Sequence, residues 1–336
     1  MCVYLVSISG TINATTSVDY MFWRCILLET LPTINIDNSV TTAQYLFAGA
    51  NKLTYEQVIG IISKCHNVEN FTGVLFCKDL PDDTEVNITT LFNNGKAKNI
   101  TFALCPNNWG ATIPSVTNKI KIKGYVPSTV ENATRAFCNL TEEVPYDIFK
   151  DASNITTMDC TFYGSKITFY KQPGSEIDLP VIEVEGEPQT LTDTIANGFL
   201  PVSVVDLSAT FESSNIQPLQ NDIFSRLSNL ELCPSCFCNS HSGKFINDFS
   251  IDTLWINCPK INNVSGCFAN IINVYCNSTL KFHSGITSSN TINISGLFGL
   301  AGFNENSLPI TLNFSEIIPK LITDNYYRRG SNTTTY

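Results

Sequence analysis

One unit recurs along the chain and governs what it can fold into: an aromatic anchor, a small or polar stretch that often holds Asn, then a short apolar strand. Copies centre on Phe22, Phe47, Phe92, Phe137, Phe149, Phe199, Phe224 and Phe268. Phe22 to Phe47 and Phe199 to Phe224 are each 25 residues, and Phe47 to Phe92 and Phe92 to Phe137 are each 45, two units of about 22. Phe224 to Phe268 is 44 with Phe245 between, whereas Phe137 to Phe149 is only 12 and breaks the register. A period of roughly 20–50 residues marks architectures in which no single unit can bury its own apolar face, so that neighbours must stack. With 43% hydrophobic and only 15% charged residues, the chain has enough apolar material for a long stacked core.

Short runs that alternate apolar and polar residues follow the anchors and predict half-buried strands. They are 99–104, 119–123, 166–170, 181–185, 229–232, 252–256, 270–275, 291–294 and 310–314. Each contributes one strand to a parallel sheet. Helix is sparse, and its best candidate is 54–65, with apolar Val58, Ile61 and Ile62 at helical spacing. The predicted fold is therefore a β-rich α/β solenoid with a short-stranded parallel sheet and a repeat of about 22–25 residues.

Residues 20–34, with Met21-Phe22 followed by Cys25, Leu28 and Pro32, resemble the BspA-like class of leucine-rich repeats. Val126-Pro127 followed by Ala136-Phe137-Cys138 is similar to another form of that unit, and the likeness is most specific over 20–50. The resemblance implies stacked leucine-rich-type repeats and a surface, adhesion or partner-binding role. It carries no catalytic residues. The chain departs from the pattern where Ala50 stands at the place of Cys25, and over 171–197, where Pro173, Gly174, Pro180 and Pro188 interrupt it. The predicted organisation is N-terminal leucine-rich-type repeats over 1–170, an irregular insertion or junction over 171–197, C-terminal repeats over 198–300, and over 301–336 a terminal cap or the start of a further β module, with a frayed tail.

The net charge of −10 repels phosphate backbones, so nucleic acid is an unfavourable partner. No run of about 18 apolar residues predicts a membrane span, and Met1–Ile8 has neither the basic flank nor the length of a secretory leader. The 13 cysteines, an odd number, sit mostly in apolar contexts and read as reduced, core-filling thiols. The exception is Cys233, Cys236, Cys238 and His241, a CxxC-type cluster that weakly suggests tetrahedral zinc, with Cys258 and Cys267 within reach in sequence. No second CxxC supports it, and a cysteine-rich turn, thiol or disulfide, is the plainer reading. His66, His241 and His283 belong to no catalytic motif, and no phosphate-binding loop occurs. Asp159, Glu183 and Glu185 are the carboxylates a polysaccharide-cleaving solenoid would need, but nothing in the sequence pairs them.

Asn-x-Ser/Thr sequons stand at Asn13, Asn70, Asn87, Asn99, Asn132, Asn139, Asn154, Asn263, Asn277, Asn293, Asn313 and Asn332. Two accounts fit this abundance: a glycosylated surface protein, or a repeat whose own turns select Asn followed by an inward apolar residue and Thr. The expected function is a non-enzymatic surface or adhesion protein, without cofactor, that binds a protein or glycan through outward positions such as Thr101, Lys121, Thr168 and Asn293. A phage or viral attachment component is the alternative, and localisation follows as cell surface, secreted, or virion.

Overall fold

The computed structural model describes residues 3–106, 120–275, 280–286, 290–299 and 320–322. It is a β-solenoid of parallel stacked coils with little helix. The chain separates into two compact units. The first comprises Met1–Ile155 and Lys166–Ile177, the second Thr156–Ser165 and Asp178–Tyr336.

The element that repeats is neither helix nor strand. In the first unit it is a seven-residue ribbon of overlapping turns, beginning at Val18, Ala43, Phe71, Ile100 and Ala133. Its backbone N–H groups alternate between two partners. In the first copy, Val18, Tyr20, Phe22 and Arg24 donate to carbonyls of the next coil, at Thr42, Gln44, Leu46 and Ala48. The intervening Met21, Trp23 and Cys25 donate three residues back, to Val18, Tyr20 and Phe22. Buried amides must be paired, and this alternation pairs successive ones without a strand. It needs left-handed backbone at the third and seventh positions, as at Tyr20 (φ 56°), Arg24 (φ 57°), Tyr45 (φ 50°) and Gly49 (φ 68°). In the second unit the same ribbon starts at Met158, Leu207, Cys233, Val264 and Ile294, with Leu207 donating to Leu232, Cys233 to Asn263 and Val264 to Asn293.

True strands are short and lie on other sides of the coils. In the first unit β1 (Thr11–Ala14) pairs with β2 (Thr33–Ile36). There too, β3 (Glu85–Asn87), β4 (Lys121–Lys123), β5 (Glu143–Pro145) and β6 (Thr168–Tyr170) form a four-stranded parallel sheet in that order. In the second unit β7 (Val181–Val184) and β8 (Glu187–Thr190) make an exposed antiparallel hairpin within the predicted insertion. Parallel pairs follow: β9 (Thr194–Ile195) with β10 (Gln217–Pro218), β11 (Lys244–Ser250) with β12 (Ile272–Tyr275), and β13 (Thr291–Asn293) with β14 (Lys320–Ile322).

Helix is confined, among the described residues, to α1 (Tyr55–Ile62), α2 (Ile88–Phe92) and one short 3-10 turn, so the α/β part of the expected fold class is not supported. The first of these lies within the predicted segment because Thr54 and Gln57 close a reciprocal capping box while Val58, Ile61 and Ile62 are buried. Segment 99–104 is not the expected strand; it is ribbon. Segment 310–314 lies outside the described residues.

The core explains the irregular anchor spacing. The coils bury two facing rows of side chains, aromatic in many of them. At the fifth ribbon position Phe162, Phe211, Phe237 and Phe268 stack on one another, 5.2–5.8 Å apart and within 17° of parallel. Phe22 and Phe47 do the same in the first unit, at 5.5 Å. Across the coil interior stand Phe199, Phe224 and Trp255, each 6.4 Å from a fifth-position ring: Phe162, Phe237 and Phe268 respectively. Phe137 and Phe149 are such a facing pair, also 6.4 Å apart, so their spacing of 12 residues crosses one coil rather than breaking a register. Phe92 belongs to α2, packed on Phe71. The coil advance varies: Thr11 to Thr33 is 22 and Glu143 to Thr168 is 25, within the expected period, whereas Asn70 to Asn99 is 29, Asn99 to Asn132 is 33 and Asn263 to Asn293 is 30.

Candidate functional site

A surface column in the first unit is the strongest candidate. The third ribbon position is left-handed in every coil, a conformation that costs an L-residue with a side chain about 1–2 kcal/mol. Glycine alone escapes that cost, and the second unit has Cys160, Ala209, Ser235, Gly266 and Gly296 there. The first unit instead places Tyr20, Tyr45, Gly73, Phe102 and Arg135 there. Trp23 and Phe76, at the sixth position, join them. The rings run on continuously: Tyr20 lies edge-on to Trp23 at 5.8 Å and stacks on Tyr45 at 5.3 Å, Tyr45 meets Phe76 at 5.9 Å, and Phe76 meets Phe102 at 5.6 Å. Guanidinium groups lie over the two end rings, Arg24 over Trp23 at 5.7 Å and Arg135 over Phe102 at 5.3 Å. Gly73 leaves the space that the Tyr45 ring occupies. Tyr20 is 50% exposed, and Trp23, Tyr45, Phe76 and Phe102 are half-buried. Burial raises the Tyr45 phenol above its usual pKa, and the neighbouring Tyr20 adds to the effect, so Tyr45 presents a hydroxyl rather than a phenolate at neutral pH.

Beside the rings runs a polar row from the two preceding positions: Thr42, Gln44, Asn70, Thr72, Asn99, Thr101, Asn132 and Thr134, all half-exposed. The asparagines are fixed in place. Asn70, Asn99 and Asn132 each accept, through Oδ1, the amide of the residue two further on, at 3.0, 2.9 and 2.8 Å. Asn263 and Asn293 do the same in the second unit, both at 3.0 Å, and Asp206 takes the equivalent role at 2.8 Å. The residue between is buried in each case: Phe71, Ile100, Ala133, Val264 and Ile294. Five sequons thus coincide with one structural position that favours Asn or Asp, followed by an inward apolar residue and a turn residue, though Thr42, Thr157 and Leu232 also occupy it. Asn87 instead caps α2 through Thr90 N at 2.9 Å; Asn13 bonds Asn35 at 2.8 Å and Asn154 bonds the Ser128 carbonyl at 2.8 Å, both exposed; Asn139 takes a left-handed seventh position. Asn277, Asn313 and Asn332 lie outside the described residues.

Of the four outward positions expected to line up, the three in the first unit fall on two different elements. Thr101 belongs to the polar row, Lys121 and Thr168 to the four-stranded sheet of the same unit, and Asn293 to the second unit. The sheet side forms a cleft of about 520 Å³ lined by Glu85, Lys121, Glu143, Lys166 and Thr168 among others. Two of its carboxylates are paired: Lys121 meets Glu143 at 2.6 Å and Lys123 meets Glu85 at 2.5 Å, on partly exposed side chains. Such pairs add only about 0–1 kcal/mol each.

The cysteine cluster divides. Cys233, Cys236 and Cys267 are fully buried at ribbon positions that face the core, with Cys233 and Cys267 sulfurs 3.7 Å apart. Burial pushes these thiols up, and Cys238 and Cys258 to about 12, which disfavours the thiolate a metal needs. His241 turns to the Asn215 carbonyl at 3.1 Å and to Asp193 at 3.4 Å. Among the described residues no three His, Cys, Asp or Glu side chains are grouped to hold a metal ion. His66 is exposed, and His283 accepts the Gly285 amide at 2.9 Å. Glu183 lies in the exposed β7 strand and Glu185 in its turn, whereas Asp159 accepts from the Cys160 thiol at 3.2 Å in a ribbon.

Sequence reasoning missed the column because Tyr20, Tyr45, Phe76 and Phe102 follow no single spacing; only the ladder register reveals them. Compared with known protein families, curated proteins and solved structures, the chain matches none. Among the described residues, no helix is long and apolar enough to cross a membrane.

Proposed function

We propose that the protein is a non-enzymatic surface or adhesion solenoid that binds a neutral glycan chain along the aromatic column of its first unit. The observation that carries this reading is the choice of Tyr20, Tyr45, Phe102 and Arg135 at left-handed positions where the second unit has small residues. Each choice costs about 1–2 kcal/mol of backbone strain. Ring pairing returns about 0.5–1.5 kcal/mol per contact, a return that Cys160, Ala209 and Ser235, left-handed at the same cost in the second unit, do not have. Large rings gathered on one exposed face, where small side chains serve the same ribbon position elsewhere, point to use rather than to stability.

The chemistry of the row suggests the partner. Aromatic faces and edges accept the C–H surface of a sugar ring, while the Thr hydroxyls and Asn and Gln amides match its hydroxyls. Asp19 is the one carboxylate in the row, so an uncharged ligand suits it. Successive coils advance by about 4.7–4.9 Å, close to the advance of one sugar in an extended polysaccharide, so a chain lying along the coil stack meets an equivalent row at each step. The resemblance of 20–50 to BspA-like leucine-rich repeats supports the same surface-adhesion role.

The test is affinity electrophoresis in gels that contain neutral polysaccharides: β-glucan, xylan or mannan. At least one should retard the protein, with Tyr45→Ala and Phe102→Ala abolishing the effect and Ser235→Ala, at the equivalent position of the second unit, leaving it intact. Retardation by none of them, or equal retardation of all variants, would overturn the reading.

A further inference from the structure

We propose that Cys105 and Cys138 form a disulfide that staples two adjacent coils of the first unit. Both occupy the sixth position of their ribbons, on neighbouring rungs of one ladder, and their sulfurs lie 2.8 Å apart in the core. Adjacent rungs are about 4.7–4.9 Å apart, inside the Cα separation of about 4.4–6.8 Å that a disulfide spans. Bonding at about 2.05 Å asks only for small side-chain rotations. By contrast, the Cys233 and Cys267 sulfurs, 3.7 Å apart, come from the first and fourth ribbon positions. Of the described cysteines, only Cys105 and Cys138 share one ribbon position on successive coils with their sulfurs this close.

A second observation, independent of the sulfurs, places a need for the link here. At the seventh position Arg24, Gly49 and Cys77 each donate their backbone N–H to the next coil, at 2.8, 3.0 and 2.9 Å. The next ribbon has Pro106 at that position, and proline has no N–H to donate. The rung that closes every earlier coil of this unit therefore has no donor where the chain passes from Cys105 to Pro106. A bond between Cys105 and Cys138 fastens the same two coils one residue before the lost rung.

The chemistry is thiol–disulfide exchange. The thiolate of one cysteine attacks a small-molecule disulfide such as oxidised glutathione, forming a mixed disulfide and expelling one glutathione thiolate. The second cysteine attacks that mixed disulfide, the Cys105–Cys138 bond forms, and the second glutathione leaves. Two protein thiols are oxidised, one external disulfide is reduced, and the two protons end on the released glutathione thiols. Because both cysteines are buried in the folded unit, exchange takes place while the coils are docking and the product is then shielded. Such a bond belongs to an oxidising compartment.

The test uses the full-length chain produced without glycosylation and folded in a reduced/oxidised glutathione buffer. Remaining thiols are blocked with iodoacetamide in denaturant, and the chain is digested with trypsin without reduction. Residues 99–119 and 136–150 form tryptic peptides with one cysteine each, Cys105 and Cys138. The expected result is one linked species, two hydrogens lighter than the sum of the two peptides, which separates on reduction. In a Cys105→Ser chain the 136–150 peptide should appear alkylated. Both peptides singly alkylated in the unsubstituted chain, or either joined to another cysteine, would overturn the proposal. That readout does not depend on the variant folding.

Discussion

Gly73 is the position where the column's geometry is most exposed to a single methyl group. Its φ is +61°, and a Cβ built there lands on Cδ1 and Cε1 of the Tyr45 ring, closer than carbon atoms approach. Gly73→Ala therefore incurs two penalties. The left-handed backbone costs about 1–2 kcal/mol for alanine, and displacing the ring costs a further 1–3 kcal/mol or so, in the range of local overpacking. Gly296 supplies the control: it takes the same ribbon position at φ +59° with nothing within 4 Å of its Cβ, so Gly296→Ala should show the backbone penalty alone. A double-mutant cycle isolates the ring. Gly73→Ala should cost about 2–5 kcal/mol beside Tyr45 and about 1–2 kcal/mol in a Tyr45→Ala background, measured by urea unfolding followed by circular dichroism. If Gly73→Ala costs no more than Gly296→Ala, or if its cost survives removal of the Tyr45 ring, the packing described for the column is wrong.

Other consequences are as concrete. Phe237 stacks between Phe211 and Phe268 at 5.2 and 5.7 Å, so Phe237→Ala should cost about 3–5 kcal/mol in chemical denaturation. Asn99→Ala removes the acceptor for the Thr101 amide and should cost about 1 kcal/mol. Glycopeptide mapping of protein from a glycosylating host should find Asn70, Asn99 and Asn132 bare, since glycans on successive rungs about 4.8 Å apart would collide; Asn13 and Asn154, both exposed, are the described sequons open to modification. Stability should fall as pH rises above 9, because Cys65, Cys77, Cys238 and Cys258 titrate near 12 when folded but near 9 when unfolded, so the unfolded chain sheds protons first. Lys78, lowered by burial to about 8, acts oppositely between pH 8 and 10.5, and Lys78→Met should remove that opposing rise in unfolding curves taken from pH 7 to 10.

Stacking was legible in the sequence because recurring phenylalanines must bury against neighbours, and four of the predicted anchors, Phe22, Phe47, Phe137 and Phe268, do occupy the fifth ribbon position. The others went astray for a physical reason. A coil buries apolar side chains on two facing rows, and both rows repeat with the same period, so Phe199 and Phe224 keep a spacing of 25 while standing opposite the stacked row. The α1 helix was legible from Val58, Ile61 and Ile62 at helical spacing, because their periodicity is local. The ribbon was not: Asn99 to Leu104 carries strand-forming residues, and only left-handed backbone, as at Phe102 (φ 54°), distinguishes turns from strand. The column was hidden for the same reason, since it joins third and sixth positions of coils whose lengths differ.

The account rests on the aromatic column as a glycan-binding surface, and a titration with oligosaccharides of increasing length tests it most directly. Isothermal calorimetry with oligomers of whichever polysaccharide retards the protein should show affinity rising with each added sugar until the chain spans the coils from Tyr20 to Phe102, then levelling, with Tyr45→Ala breaking the series. Affinity independent of chain length, or unchanged by Tyr45→Ala, would contradict it.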